Sequence, residues 1–463
     1  MQRKEEEFLV QQQLRSNLRQ GQMNRRQFMT QALGIGLGLS GVSALAGCAP
    51  ATAPSASSQV GDGGRPLTPT YYQWIENLHP SVRNTPYDGA LDFQIAPVEG
   101  FGIERFVTEA KSGESTWDIY VGMTPFVEMS QLIEADVIEP WDGYIPDEVI
   151  NDLIPSIRDE CTVDGKLYSW PFLLDVIGMG WHSGLTGEAG LDDTPPATWD
   201  DFLNRSAQVV DSGAALYGCT FDAHGWRSVA PFTHSLSTDV YTSEGLFDFT
   251  NEAAIEALLL MEKMMALSHP DILLEGATDG GVNGTPDEVA FAAQKAAYYC
   301  KYQNAPLRMA NNWPDPSQLR LAGLPTFTGG EGSTVFWTTG SCLFKHGKNK
   351  EAAAEYIQSM TYNPQIWEDS IGGTETGQPG HLPPYQSIYA DWNADRPEWL
   401  LPFVDLVRGQ LDVAKAITNH LFGLSQFQIG KQHWEKYLTG EESNPMVAMQ
   451  AAKDAVLAEM ANT

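Results

Sequence analysis

Residues 116–133 read TWDIYVGMTPFVEMSQLI. The run Ile119–Met123 shows no polar alternation, which suits a strand covered on both faces. Thr124 and Pro125 then supply an N-cap and a first helical residue. Phe126, Met129 and Ile133 follow on one helical face. A strand feeding a helix through so short a junction is half of a βαβ unit. Upstream the theme repeats. LTPTYYQWI (67–75) reads as a first strand with Glu76 and Asn77 on the turn after it, and ALDFQIAPV (90–98) as a second. Ile103, Phe106, Val107 and Ala110 recur at i, i+3, i+4 and i+7, the spacing of one helix face. The expected class is α/β with a mainly parallel sheet.

Working toward the C-terminus, KLYSWPF (166–172) and VIGMGW (176–181) are strand-like. Thr198 caps a helix over 199–210, with Asp201 at N3 near the positive end of its dipole. Thr250 starts another helix, with Ile255, Leu258, Leu259, Glu262 and Met265 on its expected face. LRLAGLPTF (319–327) and STVFWTTGSCLF (333–344) are later strands. KNKEAAAEYIQSMT (348–361) is a helix with Ala353, Tyr356, Ile357 and Met360 inward, and the tail from about Val404 to Met460 reads as helical throughout.

The N-terminus has a different logic. NRRQFMTQALGIGLGLSGVSALAGC (24–48) places a twin arginine before an apolar run that is too short to span a bilayer, which takes about 20 residues. Small residues close the run, the layout of an export signal. Arg25 and Arg26 resemble a twin-arginine signal. Leu45-Ala46-Gly47-Cys48 resembles a bacterial lipobox, in which the Cys48 sulfur takes a lipid and becomes the mature N-terminus. Met23 offers an alternative start. Gly36, Gly38 and Gly41 fit GxGxxG, but a dinucleotide site needs a strand before it and a helix after it. Residues 48–66, rich in Ala, Ser, Pro and Gly, read as a flexible tether.

The chain carries a net charge of −31, and loss of residues 1–47, with six basic and three acidic side chains, takes it to about −34. Such a field opposes nucleic acid and disfavours anionic ligands such as phosphate esters. About 415 residues remain, which points to two domains. Thirteen Trp and sixteen Tyr supply both core and potential ligand platforms. Cys161, Cys219, Cys300 and Cys342 form no CxxC; they allow two disulfides, and export in a folded state favours free thiols. No i, i+4 histidine pair, HExxH, GxSxG or Walker loop occurs, so no metal, cofactor or catalysis is expected.

Four stretches resemble the extracellular solute-binding proteins of ABC importers, the branch similar to maltose- and other sugar-binding lipoproteins. They are WDIYVGM with LIEADVIEPWDGYI, VDGKLYSWPFLLDVIGMGWHSGL with EAGLDDTPPATWDDFL, FAAQKAAYYCKYQNAP, and SCLFKHGKNKEAAAEYIQSMT. Gln294, Tyr298, Tyr299 and the His182-Ser183 pair depart from the family pattern. The resemblance implies a two-lobe periplasmic-binding-protein-like clamp with interlobe crossing strands: 67–175 plus 325–385 as one lobe, 176–324 plus 386–463 as the other. It implies capture of a sugar or oligosaccharide and delivery to an ABC permease; with the N-terminal signal, the expectation is a lipid-anchored, twin-arginine-exported monomer outside the cytoplasm. Polyols, a glycerol phosphate ester and peptides are alternative ligands, and a secreted glycoside-acting enzyme is a more distant alternative.

Candidate ligand groups follow. Trp74, Glu76 and Asn77 end the first strand, where ligands of parallel sheets collect. Thr124 stands at a helix start. Asp175, a carboxylate in an apolar run at the presumed crossing, needs a partner. Tyr302, Gln303 and Asn304 follow a strand where the family places binding groups. Trp226-Arg227 and Trp337 through Gly340 resemble its cleft loops, and Glu375 and Gln378 are weaker members.

Overall fold

A computed structural model describes residues 65–72, 87–95, 103–223, 225–273, 285–327, 333–364, 367, 382–390, 406–407 and 409–462. The expected export signal, Cys48 and most of the expected tether lie outside them. Twelve strands are described: β1 (Pro69–Tyr71), β2 (Gln94–Ile95), β3 (Ile119–Met123), β4 (Ile138–Glu139), β5 (Thr162–Val163), β6 (Lys166–Leu167), β7 (Trp170–His182), β8 (Tyr217–Phe221), β9 (Ala296–Tyr302), β10 (Leu319–Ala322), β11 (Val335–Phe344) and β12 (Lys415–Ala416). The main sheet runs β2-β1-β3-β11-β7-β9-β8, with β4 and β12 on β11 and β10 on β7.

The sheet is mixed where a mainly parallel one was expected. Its flanks are parallel, β1 with β2 and β3, and β8 with β9. The centre is antiparallel, β11 with β3 and β7, and β7 with β9 and β10. The cause is two long strands. KLYSWPF and VIGMGW do not form separate elements: from Trp170 they join into the 13-residue β7. That strand belongs to two cores. Trp170, Phe172, Leu173, Leu174 and Val176 enter one, and Ile177, Met179 and Trp181 enter the other. On β11, Phe336 and Leu343 join the first core and Val335 and Trp337 the second. The first core also takes Phe291, Leu307 and Trp313. A third cluster of Phe106, Trp117, Tyr120, Met123 and Phe344 covers the other face of β3, opposite Ile119 and Val121. This is why β3 reads as uninterrupted apolar sequence.

The helix Trp199–Ser212 is capped as expected, Thr198 accepting from the Asp201 amide at 3.1 Å. Other elements differ. The helix Glu252–Met265 is capped by Asn251, and it buries Ala253, Ala254, Ala257, Leu258, Leu260, Met261 and Met264. Glu262 is exposed, and Ile255, Leu259 and Met265 are only half-buried. A segment apolar on nearly every side gives periodicity no face to choose, and the small alanines turn inward. The described tail is not helical throughout. Lys415–Ala416 pairs in parallel with β11, and only Gly423–Leu438 and Pro445–Met460 are long helices. After β3 the chain opens as a π-turn, Pro125–Met129, and the Thr124 hydroxyl makes no capping bond. Cys161, Cys219, Cys300 and Cys342 are buried free thiols.

Candidate functional site

Asp175 lies where β7 passes from one core to the other, opposite Trp337 of β11. Its Oδ1 accepts from Asn304 Nδ2 at 2.6 Å and from Gln303 Nε2 at 3.3 Å. Burial pushes its carboxyl up to about 6, against the pull of Arg308 and then Arg227. Gln303 also donates to the Leu174 carbonyl at 2.8 Å and accepts from the Val176 amide at 2.6 Å. Its amide fastens β9 to β7, so its place beside the site is that of a clamp.

Beside Asp175, an aromatic chain from the second core ends at Tyr302, which packs against both cores. Phe126, from the π-turn after β3, meets Trp226 edge-to-face at 4.9 Å between centroids. Trp226 meets Trp337 at 4.6 Å, and Trp337 meets Tyr302 at 5.9 Å. Such edge-to-face contacts each add about 0.5–1.5 kcal/mol beyond buried area. Arg227 sits 5.1 Å from the Trp226 ring. Its ion-pair partner is Asp222 at 3.7 Å, and its side chain is 39% exposed.

Beneath these groups lies a buried ionic cluster. Lys301 Nζ reaches Asp287 at 2.8 Å, Glu288 at 3.2 Å and Asp222 at 3.5 Å. Tyr299 donates to Asp287 at 2.7 Å. Arg308 reaches Glu288 at 3.4 Å, Tyr302 Oη at 3.3 Å and Asn304 Oδ1 at 3.2 Å. A narrow recess adjoins the crossing, bordered by Ile177, Met179, Lys301, Gln303, Pro306 and Leu321.

Of the sequence candidates, Asp175, Trp226, Arg227, Tyr302, Gln303 and Trp337 come together. Thr124 is buried, its carbonyl accepting from Val127 and Glu128 amides. Gly340 serves the sheet, where a Cβ would collide with Ser169 Oγ and, at 2.6 Å, the Trp170 carbonyl. Trp74, Glu76, Asn77, Glu375 and Gln378 lie outside the described residues. Sequence reasoning missed Asp222, Asp287, Glu288, Lys301 and Arg308. Asp287 and Glu288 follow Pro286 in the first turn of the helix Pro286–Ala292, a placement that ordinary dipole compensation also explains.

The arrangement suits a polyhydroxylated solute, with apolar C–H faces against rings and hydroxyls against a carboxylate and a guanidinium. Three comparisons bear on it. A binding protein of Brucella abortus (strain 2308) is 22% identical over 339 residues, 71% of this chain and 79% of that protein. The mannitol-binding protein of Pseudomonas aeruginosa is 31% identical over 90 residues, 19% of this chain and 21% of that one. Maltose-bound MalE3 of T. maritima matches with a TM-score of 0.68 at 15% identity, covering 84% of this chain and 99% of that one. At that identity the likeness speaks to the fold, the two-lobe binding-protein clamp. The profile of the bacterial extracellular solute-binding proteins matches residues 96–365, more than half the sequence. This chain therefore belongs to the bacterial extracellular solute-binding protein family.

Proposed function

We propose that the protein is the substrate-binding component of an ABC importer, capturing a sugar or oligosaccharide between two lobes and delivering it to the permease. The carrying observation is the convergence of Trp226, Trp337 and Tyr302 with Asp175 and Arg227 where β7 and β11 cross between cores. A lobe boundary near Asp175 suits the change of core between Val176 and Ile177 of β7. Capture works by closure: the ligand shifts an open–closed equilibrium by its extra affinity for the closed form. A polyol is the second reading, favoured by the mannitol-binding relative. Trp74, Glu76, Asn77 and Glu375 are proposed to complete the site. Cys48 is proposed to hold a monomer to the membrane through a lipid after twin-arginine export, and Cys48→Ser should move it to the soluble fraction; continued membrane attachment refutes the anchor.

A thermal-shift screen against mono- and oligosaccharides, polyols, phosphate esters and peptides tests the function. A ligand at 100 times its Kd stabilises the native state by about 2.7 kcal/mol. A shift with one carbohydrate class, with the ligand recovered unchanged, supports the proposal and separates binding from catalysis. A shift with phosphate esters or peptides alone overturns the ligand class. Wild-type affinity in Trp74→Ala, Trp226→Ala and Trp337→Ala alike overturns the site.

A further inference from the structure

We propose that Arg308 is the positioning residue of this site: through Asn304 it fixes which oxygen of Asp175 is offered to a ligand hydroxyl, and through Tyr302 it directs the phenol proton. The ligand half of this inference rests on the carbohydrate reading above; the positioning half does not.

The argument begins with donor and acceptor inventories. A guanidinium only donates, and an amide side chain has one accepting and one donating end. Arg308 Nε lies 3.2 Å from Asn304 Oδ1. That contact forces the Asn304 NH₂ toward Asp175, where Nδ2 lies 2.6 Å from Oδ1. Gln303 Nε2 adds a second bond to the same oxygen. Oδ2 receives no hydrogen bond from the described residues. One oxygen is thus saturated and the other stays open beside Trp337. Arg308 Nη2 also donates to Tyr302 Oη at 3.3 Å, so the phenol proton must point elsewhere.

Sequence spacing makes this feasible. Asn304 and Arg308 are four apart on the helix Asn304–Ala310, neighbours on one face. Arg308 is in turn held by Glu288, Glu288 by Lys301, and Lys301 by Asp287 and Asp222. The charged groups around Asp175 are Arg308 on its helix, Arg227 on the helix Trp226–His234, and this cluster behind them. Among them Arg308 opposes the burial of the Asp175 carboxylate most strongly, ahead of Arg227.

The test is a pH titration of the intact, ligand-free protein with ¹³C-labelled aspartate carboxyls, the Asp175 signal assigned by its loss in Asp175→Asn. The wild-type midpoint is expected at about 6. Arg308→Met should raise it by about one unit or more. Arg308→Lys, which keeps the charge but not the fork, should hold the midpoint near wild type. Asn304→Ala, which leaves Arg308 in place, should also raise the midpoint and guards against a misfolded Arg308→Met. An unchanged midpoint in a folded Arg308→Met or Asn304→Ala protein overturns the positioning role. In parallel, maltose and mannitol binding are measured. At least tenfold weaker binding in Arg308→Lys, with little further loss on adding Asp175→Asn, is the expected pattern. Independent, additive losses overturn the relay. If neither probe binds the wild type, the ligand half falls, while the titration still decides the positioning half.

Discussion

Asp118 and Asp175 are both aspartates buried in apolar strand sequence, and their surroundings use them in opposite ways. Asp118 is fully buried. Its Oδ1 takes Arg65 Nη2 at 2.8 Å, the Lys348 amide at 2.7 Å and the Asn349 amide at 3.1 Å. Its Oδ2 takes the Thr68 amide at 2.9 Å and Asn349 Nδ2 at 3.0 Å. With its lone-pair sites filled, it ties the start of β1 and the edge of β3 to the helix Lys350–Thr361. Among the described residues Asp175 has partners on one oxygen only, and one of them, Asn304, is itself aligned by Arg308. A saturated buried carboxylate is a strut, whereas one with an open oxygen beside aromatic rings is available to a ligand.

The largest effect expected from this contrast is on stability. Asp118→Ala removes the acceptor of three backbone amides, two of them buried, and should cost about 3–5 kcal/mol, read as a lowered denaturation midpoint. Asp175→Asn should do the reverse at pH 7. The Asp175 carboxyl lies above its unfolded value of 3.8, at about 6. The folded chain holds an extra proton between those values, so this group's contribution falls as pH rises through that window and is a net cost at neutrality. Neutral Asn should therefore add about 1–3 kcal/mol at pH 7 and little at pH 4, with carbohydrate affinity reduced at least tenfold. Equal destabilisation by the two variants would make Asp175 a second strut and erase the contrast.

The smallest effect sharpens it with carboxyls that are kept as acids. Burial pushes Glu128 and Glu160 up to about 8, from an unfolded 4.5. Glu160 still accepts from the Thr338 amide and hydroxyl beside Trp337. Their stabilising share is full below pH 4.5 and falls as pH rises through 8. Between pH 7 and 9 each should lose about 1 kcal/mol. Glu128→Gln and Glu160→Gln should flatten that part of the Tm profile; an unaltered slope would show that neither group titrates there.

Much of the scaffold was legible. The fully apolar run of β3, the Thr198 cap with Asp201 and the inward face of Ala353, Tyr356, Ile357 and Met360 all follow from local rules. The site was legible only as separate stretches. Asp175 stood out as a charge in an apolar run, and Trp226, Tyr302 and Trp337 stood out through family resemblance. Nothing local joined Asn304 to Asp175 across 129 residues, or marked Asp287 and Glu288 as counter-ions for Lys301.

The sequence by itself determined the class of many described elements and the acidic charge, because periodicity, capping and composition act within a few residues; the family came from the resemblance of four stretches. Only the tertiary structure decided that β7 and β11 run through two cores, which face the Glu252–Met265 helix buries, and which oxygen of Asp175 remains open. Those outcomes depend on partners remote in sequence. Their energies come from desolvation and hydrogen-bond geometry, which exist only once the strands have crossed.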